Sequence, residues 1–402
     1  MSNILVTNSI VAKEALAILQ NMVGFAKNVN RDFESEFTGN QGRGYSPGQT
    51  INIKKPPRYT YRAGRVAAPQ ATVETSIPIT LSQGGADLNF TSFEKTVSLQ
   101  QFERKMQAAV VAVVNEIDRQ GLDMARRTVA NAVGTVGTLP STQAAAYALL
   151  TGANQKLDEM AAPRDGQRSL IVNPAMNGSL LQGFGGLFNP GAPVTKGYST
   201  GMFQNAFGLD VNMDQNVSRH VNGTAVQATN TVNGAGQTGS ALTVAALNGS
   251  LTVGTVFTIP GINAVNPQSR QDTGSLQQFV VTAAAAAAAT SVSIFPAIVT
   301  SGAFQTVTAS PANAAAITIL GAASGAYDSN VIYHRDAFTL AMVPMSVPDA
   351  GTGAKVTQMS DDGFTVKVTS FYDGVNDNNI MRLDVLFGWA APYAELACKV
   401  VA

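Results

Sequence analysis

The chain is short of charge, of sulfur and of imidazole, and each shortage narrows what it can be. Of 402 residues only 13% are Asp, Glu, Lys or Arg, about half of the usual quarter. A soluble monomer normally keeps a charged, patch-free surface. The scarcity therefore points either to a surface largely covered by neighbouring molecules or to an extracellular, Ser/Thr-rich β protein. Lys+Arg and Asp+Glu balance at 26 each, with a pI near 6.7. Dedicated nucleic-acid-binding domains usually have a pI above about 9, so the chain as a whole is not built to grip DNA or an anionic membrane. The single cysteine, Cys398, excludes an internal disulfide, suits a reducing compartment and reads as small apolar filler.

One Cys and two widely separated histidines, His220 and His334, cannot supply a zinc set. Neither Asp361-Asp362 nor Asp373 with Asp377 has the spacing of a calcium loop, and no Gly-Lys-Ser/Thr phosphate cradle occurs. No metal and no cofactor are expected. Met1-Ser2-Asn3 lacks the positive start of a signal peptide, and Lys13 and Glu14 interrupt the first apolar stretch. The uncharged window Val280 to Thr300 is Ala, Thr and Ser more than Leu or Ile, too weakly apolar for a membrane span. The expectation is a soluble, intracellular protein without membrane contact. What is abundant is hydrophobic residue content, 45%, enough for a globular fold of two or three domains at this length.

Along the chain the hydrophobic period changes several times. Ile10, Ala15, Leu16, Leu19 and Val23 have helical spacing, followed by the acids Asp32, Glu34 and Glu36 and a Gly/Pro-rich stretch from Gly39 to Gly48. From Thr50 to Asn89 the pattern is extended: Ile51 and Ile53 alternate with Asn52 and Lys54, and Val73, Ile77, Ile79 and Leu81 form a second run. Between them lie Lys54, Lys55, Arg58, Arg62 and Arg65, with no acid from Phe37 to Val73. This predicts a long β-hairpin with a basic, mobile end and too few apolar residues for a core of its own. It must lie on something else.

Leu99, Phe102, Met106, Ala109, Val110, Val113, Val114, Ile117, Met124 and Val129 then recur at three- and four-residue steps. They predict a helix of about 40 residues, or roughly 55 Å, with Gly121 as a weak point. A helix so much longer than the usual ~10–14 residues must be a strut. Mixed α/β structure is predicted next: a helix near Ser141 to Met160, a strand at Ser169 to Val172, a turn at Asn173-Pro174, a loop over Gly183 to Gly201 and a strand near Leu209 to Met213.

Between His220 and His334 only Arg270, Asp272 and Asp328 are charged. Short β-prone runs such as Ala241–Val244, Thr252–Ile259, Phe279–Thr282 and Ser291–Phe295 predict a small barrel or sandwich. The run Ala283–Ala289 reads as strand or loop despite its helical propensity. Two final strands, Phe364–Phe371 and Ile380–Phe387, are joined by a Tyr372-Asp373-Gly374 turn and an Asn-rich loop. In the second, Met381, Leu383, Val385 and Phe387 share one face and Arg382 and Asp384 the other.

Three local patterns bear on chemistry. Gly197-Tyr198-Ser199-Thr200-Gly201 matches a nucleophile elbow, but no buried strand feeds the serine, so a flexible loop is the better reading. His334-Arg335-Asp336 has the look of a kinase catalytic loop, yet Ala341 stands where the metal-binding Asn belongs. No catalytic residue is assigned. The basic cluster Lys54, Lys55, Arg58, Arg62 and Arg65 keeps three readings: phosphate contacts with Tyr59 and Tyr61 stacking, a solvated loop, or a contact with acids of a neighbouring subunit such as Asp32, Glu34 or Glu36.

The order of these segments resembles one family: the major capsid (coat) protein of short-tailed Salmonella and Shigella phages, an α+β Hong Kong 97-type capsid fold with an inserted β-barrel domain. The matching residues are Gly48-Gln49-Thr50-Ile51-Asn52-Ile53-Lys54-Lys55-Pro56, Gly208-Leu209-Asp210-Val211, Tyr333-His334-Arg335-Asp336-Ala337-Phe338 and Gly363-Phe364-Thr365-Val366-Lys367-Val368. The resemblance implies an N-terminal arm (1–45), an extended loop (46–95), a spine helix of the peripheral domain (96–134), an axial/peripheral α/β domain (135–221 and 331–402) and an insertion (222–330). It implies a structural protein, not an enzyme, that self-assembles as pentamers and hexamers into an icosahedral shell around packaged double-stranded DNA. Expected partners are a scaffolding protein and a portal during assembly, DNA touched non-specifically on the inner face, and room for a decoration protein. The shell would be assembled in the host cytoplasm and reside in the virion. Two other readings stay open: an encapsulin-like cellular compartment, and a secreted β-rich adhesin or hydrolase.

Overall fold

A computed structural model of the chain describes residues 24–33, 49–62, 64–67, 69–72, 74–91, 99–184, 206–227, 229–347, 355–361 and 364–402. Side chains are described for all of these except 99–107 and 361. Strands β1 (Thr50–Lys55), β2 (Thr75–Thr80) and β3 (Ser82–Thr91) precede helix α1 (Leu99–Thr128). Then come β4 (Ala132–Gly134), α2 (Gln143–Glu159), β5 (Arg168–Val172), α3 (Pro174–Phe184), β6 (Asp210–Met213) and β7 (Arg219–Val221). The middle of the chain holds β8 (Gly239–Thr243), β9 (Val256–Val265), β10 (Asp272–Val281), β11 (Ser291–Ile298), β12 (Thr318–Ile319) and β13 (Ala326–Asp328). The last strands are β14 (Asn330–His334), β15 (Thr339–Met342), β16 (Lys355–Asp361), β17 (Phe364–Asp373), β18 (Asn378–Ala390) and β19 (Ala397–Val401).

Two compact units form. Within the described residues, one draws on the chain up to Ile53, on Ser76–Gly121 and on Thr339–Ala390. The other draws on Lys54–Thr75, Leu122–Phe338 and Ala391–Ala402.

The first unit is organised by β18. One edge of this 13-residue strand pairs antiparallel first with β17 and then with β15, and the other pairs with β3. The predicted alternation holds for Met381, Leu383, Val385 and Phe387, all buried. Asp384 departs from it: the carboxylate is buried, accepting from Arg382 Nε at 2.8 Å and Gln83 Nε2 at 3.2 Å, so a charge expected in solvent is instead covered by its neighbours. The predicted turn after β17 is stapled by Asp373, whose Oδ1 accepts the Val375 amide and whose Oδ2 accepts the Asn376 side chain. β16 carries no clean alternation and was not foreseen as a strand; β3, where Ala86, Leu88 and Phe90 alternate with Asp87 and Asn89, falls in the stretch read as extended.

Among the described residues helix α1 spans 30 residues, about 45 Å; the expected start at Phe93 lies outside the described residues. It stops at Thr128 because the following segment leaves to pair β4 in parallel with β19. Its predicted stripe is buried at Ala109, Val110, Val113, Val114 and Ile117. Gly121 is no weak point but a site of close approach. The Trp389 indole on β18 donates to the Ile117 carbonyl at 3.1 Å and stacks on Phe25 with ring centroids 5.2 Å apart. A Cβ on residue 121 would lie 2.6 Å from the indole and 2.8 Å from the Phe25 ring. Buried Asp118, one turn earlier on α1, holds the incoming N-terminal segment: its carboxylate accepts the amides of Gly24 (2.8 Å), Phe25 (3.3 Å) and Ala26 (3.0 Å). The helical reading of residues 8–29 falls mostly outside the described residues; only a single 3-10 turn, Ala26–Asn28, is seen there.

The second unit is built on a five-stranded sheet in the order β4-β19-β14-β5-β6. Helices α2 and α3 cover one face, where Leu150, Leu157, Leu170, Met176, Ile332 and Cys398 share a core. Asn173-Pro174 is not a free-standing turn: the Asn173 side chain caps α3 by accepting the Met176 amide at 2.8 Å, and Pro174 takes the first helical position. Between β6 and β14, two strands of this one sheet, the chain forms a separate antiparallel sheet in the order β12-β9-β10-β11-β8. It has its own core, including Leu242, Phe257, Phe279, Ile294 and Ile319. Bridges Thr231–Ala316 and Val232–Val244 join its two edges through one short segment, a barrel-like closure. The alanine run is loop, as read: Ala285 exchanges both backbone hydrogen bonds with Leu251, and Ala288 has φ 64°, which a helix cannot accept.

Two outcomes test this packing. Gly121→Ala destabilises the first unit by about 2 kcal/mol through overpacking, read as a lowered thermal midpoint. Asp118→Ala, which strands three amides, two of them buried, costs about 3 kcal/mol by denaturant titration.

Candidate assembly surface

The basic segment foreseen from sequence is a ribbon with a fixed root and a free tip. At the root, Lys55 places Nζ 5.1 Å from the Tyr393 ring centre, and burial, outweighing the attraction of Glu395, holds its ammonium below the usual lysine range. Arg58 pairs with Glu395 at 3.3 Å and lies 5.8 Å from the Phe304 ring centre. Arg270, from the loop between β9 and β10, donates to the Tyr59 carbonyl at 2.7 Å. Further out, Gln70 ties the two legs together by accepting the Thr60 amide at 2.8 Å and donating to the Thr60 carbonyl at 2.7 Å. Tyr59 and Thr72 hydroxyls meet at 3.0 Å.

Beyond these ties the ribbon turns at Gly64 (φ 90°), where Arg62 donates to the carbonyls of Gly64 and Val66. The outer residues are exposed, Tyr61 at 91% and Val66 at 83%, with Arg62 and Arg65 alongside. Lys54 makes a 3.3 Å pair with Glu74 across the two legs, both side chains in solvent, where such pairs contribute at most about 1 kcal/mol.

Of the acids foreseen as partners, Asp32 is exposed, while Glu34 and Glu36 lie outside the described residues. The acid that Lys55 and Arg58 do meet, Glu395, was missed. Its signal was there: Glu395 and Lys399 are the only charges after Trp389, in an otherwise apolar tail.

His334, which has a catalytic look in sequence, is placed by its hydrogen bonds in the fold. His334 is buried; its Nε2 lies 3.1 and 3.2 Å from the two Asp165 carboxylate oxygens, and its Nδ1 accepts the Asp336 amide at 3.3 Å, capping the Arg335–Ala337 turn. The Asp165 carboxyl is held below its usual range, first by the Gln167 amide. Ser199 lies outside the described residues. Burial pushes the Cys398 thiol up to about 12, leaving it inert filler, as read. Among the described residues no group of three His, Cys, Asp or Glu side chains could hold a metal ion.

A search of curated protein sequences returned no match. Among solved structures, the chain is similar to one from Mycobacterium phage Che8, at 14% identity and a TM-score of 0.46, covering 94% of this chain and 90% of that one. It is also similar to the capsid of cyanophage P-SCSP1u, at 10% identity and a TM-score of 0.42, covering 88% and 84%. The virus-like particle from Pyrococcus furiosus matches at 9% identity and a TM-score of 0.40, covering 98% of each chain. The family described as P22 coat protein, gene protein 5, matches residues 9–398, nearly the whole length. This chain therefore belongs to the P22 coat protein family, the major capsid proteins that build phage heads.

Proposed function

We propose that this chain is the repeating subunit of an icosahedral phage head, arranged as pentamers and hexamers around packaged double-stranded DNA, and that its ribbon tip is a contact between subunits. The ribbon carries the second part of the reading. Its root is tied to the chain's own body by Glu395, Phe304 and Arg270, whereas its tip presents Tyr61, Arg62, Arg65 and Val66 to solvent. An exposed cluster of aromatic, apolar and guanidinium groups on a pre-set arm has the make-up of an interface anchor. Acids of a neighbouring subunit, such as Asp32, Glu34 or Glu36, are the partners its charge calls for. Rings of five and six require heterologous contacts that close by rotation, and a projecting arm supplies one.

In this reading residues 1–45 are an arm, 46–95 the extended loop, 96–134 the spine, 135–221 with 331–402 the axial/peripheral domain and 222–330 an insertion. The separate core and sheet between β6 and β14 support the last assignment. A scaffolding protein, a portal and DNA on the inner face are proposed partners during assembly in the host cytoplasm. The near-zero net charge suits a wall that holds DNA without sticking to it. The encapsulin reading is less favoured, because the family match is to a phage coat protein.

Neutralising Arg58, Arg62 and Arg65 together abolishes or strongly reduces shell formation, seen by negative-stain microscopy and sedimentation. Monomer stability shifts by no more than about 1 kcal/mol from the exposed Arg62 and Arg65, with a further loss of about 1 kcal/mol from the half-buried Arg58–Glu395 pair, too little to unfold the chain. Normal shells from the triple variant would refute the tip as a subunit contact.

A further inference from the structure

The module between β6 and β14 has a tight loop, Thr252–Thr255, that meets three basic side chains from three separate elements of the same unit. Arg126, in the last turn of α1, donates through Nη1 to the Val253 carbonyl at 3.2 Å. Lys399, on β19, donates to the Gly254 carbonyl at 3.0 Å. His220, on β7, lies with Nε2 3.3 Å from the Thr255 hydroxyl and 3.1 Å from Asn222 Oδ1. Thr252 returns a bond to the Val221 carbonyl at 2.8 Å. The fit is close enough to demand glycine at 254: φ is 95°, and a Cβ would sit 2.8 Å from the Arg126 carbonyl oxygen.

The geometry dictates where the His220 proton is. Arg126 Nη1 lies 3.0 Å from His220 Nδ1, and a guanidinium can only donate. Nδ1 must therefore accept, and the single proton of a neutral ring sits on Nε2, donated toward Asn222. A second proton would land on Nδ1 and set donor against donor, with two positive charges in contact. Little nearby would compensate. From α1 come Arg126, Arg127 and Asp123, the last already engaged by both arginines. From β19 comes Lys399. From β13 comes Tyr327, whose ring packs 5.2 Å from the imidazole, and Asp328 pairs in register with Arg219 rather than His220. The loop itself contributes no charge.

We propose that Arg126, His220 and Lys399 form a proton-controlled clasp on residues 252–255, closed while His220 is neutral and opened when it takes a proton. Burial first, then Lys399 and then Arg126 push the His220 imidazole down to about 4, and burial with Arg126 pushes the Lys399 ammonium down to about 7. Both shifts have one sign. Above the ordinary histidine value near 6.5 the ring is neutral whether the clasp is open or closed, and it exerts no pH effect. As pH falls from there toward 4, the open form binds a proton that the closed form refuses, so the clasp weakens. Lys399 adds its own loss between its ordinary value of 10.5 and about 7, and is level below that.

The test is hydrogen–deuterium exchange on the full chain at pH 7.5 and 5.0, corrected for intrinsic exchange. Protection in peptides covering 252–255 should drop about tenfold or more at pH 5.0, while strands β9 and β10 keep theirs. In His220→Gln, which keeps a donor toward Asn222 without titrating, that drop should shrink to the few-fold share that Lys399 contributes over the same interval. Should the variant fold poorly, the wild-type imidazole can be followed directly by NMR, since the chain has only two histidines. His220 should stay neutral, protonated on Nε2, down to about pH 5. A His220 that titrates near 6.5 in the wild type, or an undiminished drop in protection in His220→Gln, would overturn the clasp.

Discussion

The second unit depends on β14. All five of its residues are buried, and it is paired antiparallel on one side to β5, well over a hundred residues earlier, and on the other to β19 at the C-terminus. Backbone groups buried on both faces must find partners in the ladder, so this strand draws remote parts of the chain into one sheet. The effects of that registration reach past the sheet. Glu395, just before β19, comes to the ribbon root. Lys399, on the face of β19 opposite Cys398 and Val400, comes to the loop at 254. The module between β6 and β14 has to leave from one strand of the sheet and return in another, which keeps its base against the host. Ala130, just before β4, and Ala132, its first residue, share a small apolar cluster with Val256 and Val280 of the module, and Gln278 reads the Ala132 backbone through both its amide atoms.

Local pattern made some of this legible and long-range pairing hid the rest. The α1 stripe and the alternation in β18 are visible because each has one face buried and one not. β5 and β14 have no alternation since both faces are covered, so β5 showed only as a short apolar run, and β14 was not read as a strand. Gly121 looked like a defect until Trp389, distant in sequence, was placed over it. Asn173-Pro174 has the same composition as a turn whether or not a helix follows. In the ribbon, the basic cluster and its exposed end were readable, because charge and scarcity of apolar residues are local properties. Which acid meets Arg58 was not, because the partner sits more than three hundred residues away. The scarcity of charge was likewise read too simply. Asp118, Arg168, Asp384 and Lys399 are buried, so part of a small supply is withdrawn from the surface to organise the interior, and neighbours covering the outside are not the whole explanation.

A shell subunit must be rigid enough to define an angle and adaptable enough to occupy rings of different size. The ribbon combines the two. Its root is tied by ionic, cation–π and backbone contacts, and Gln70 locks its legs, so the tip is delivered in a set direction. The tip itself is secured mainly by the Arg62 contacts to its own turn, and its remaining groups are uncommitted. Rigidity is concentrated where direction is decided.

The indole at the crossing of α1, β18 and the N-terminal segment has one more consequence. It is the only tryptophan in the chain, and all its described contacts, with Phe25 and Ile117, lie within the first unit. Intrinsic emission excited at the red edge therefore watches a single half of the molecule. The other half, with the clasp and the ribbon root, is dark to that light, and its unfolding needs a separate optical label.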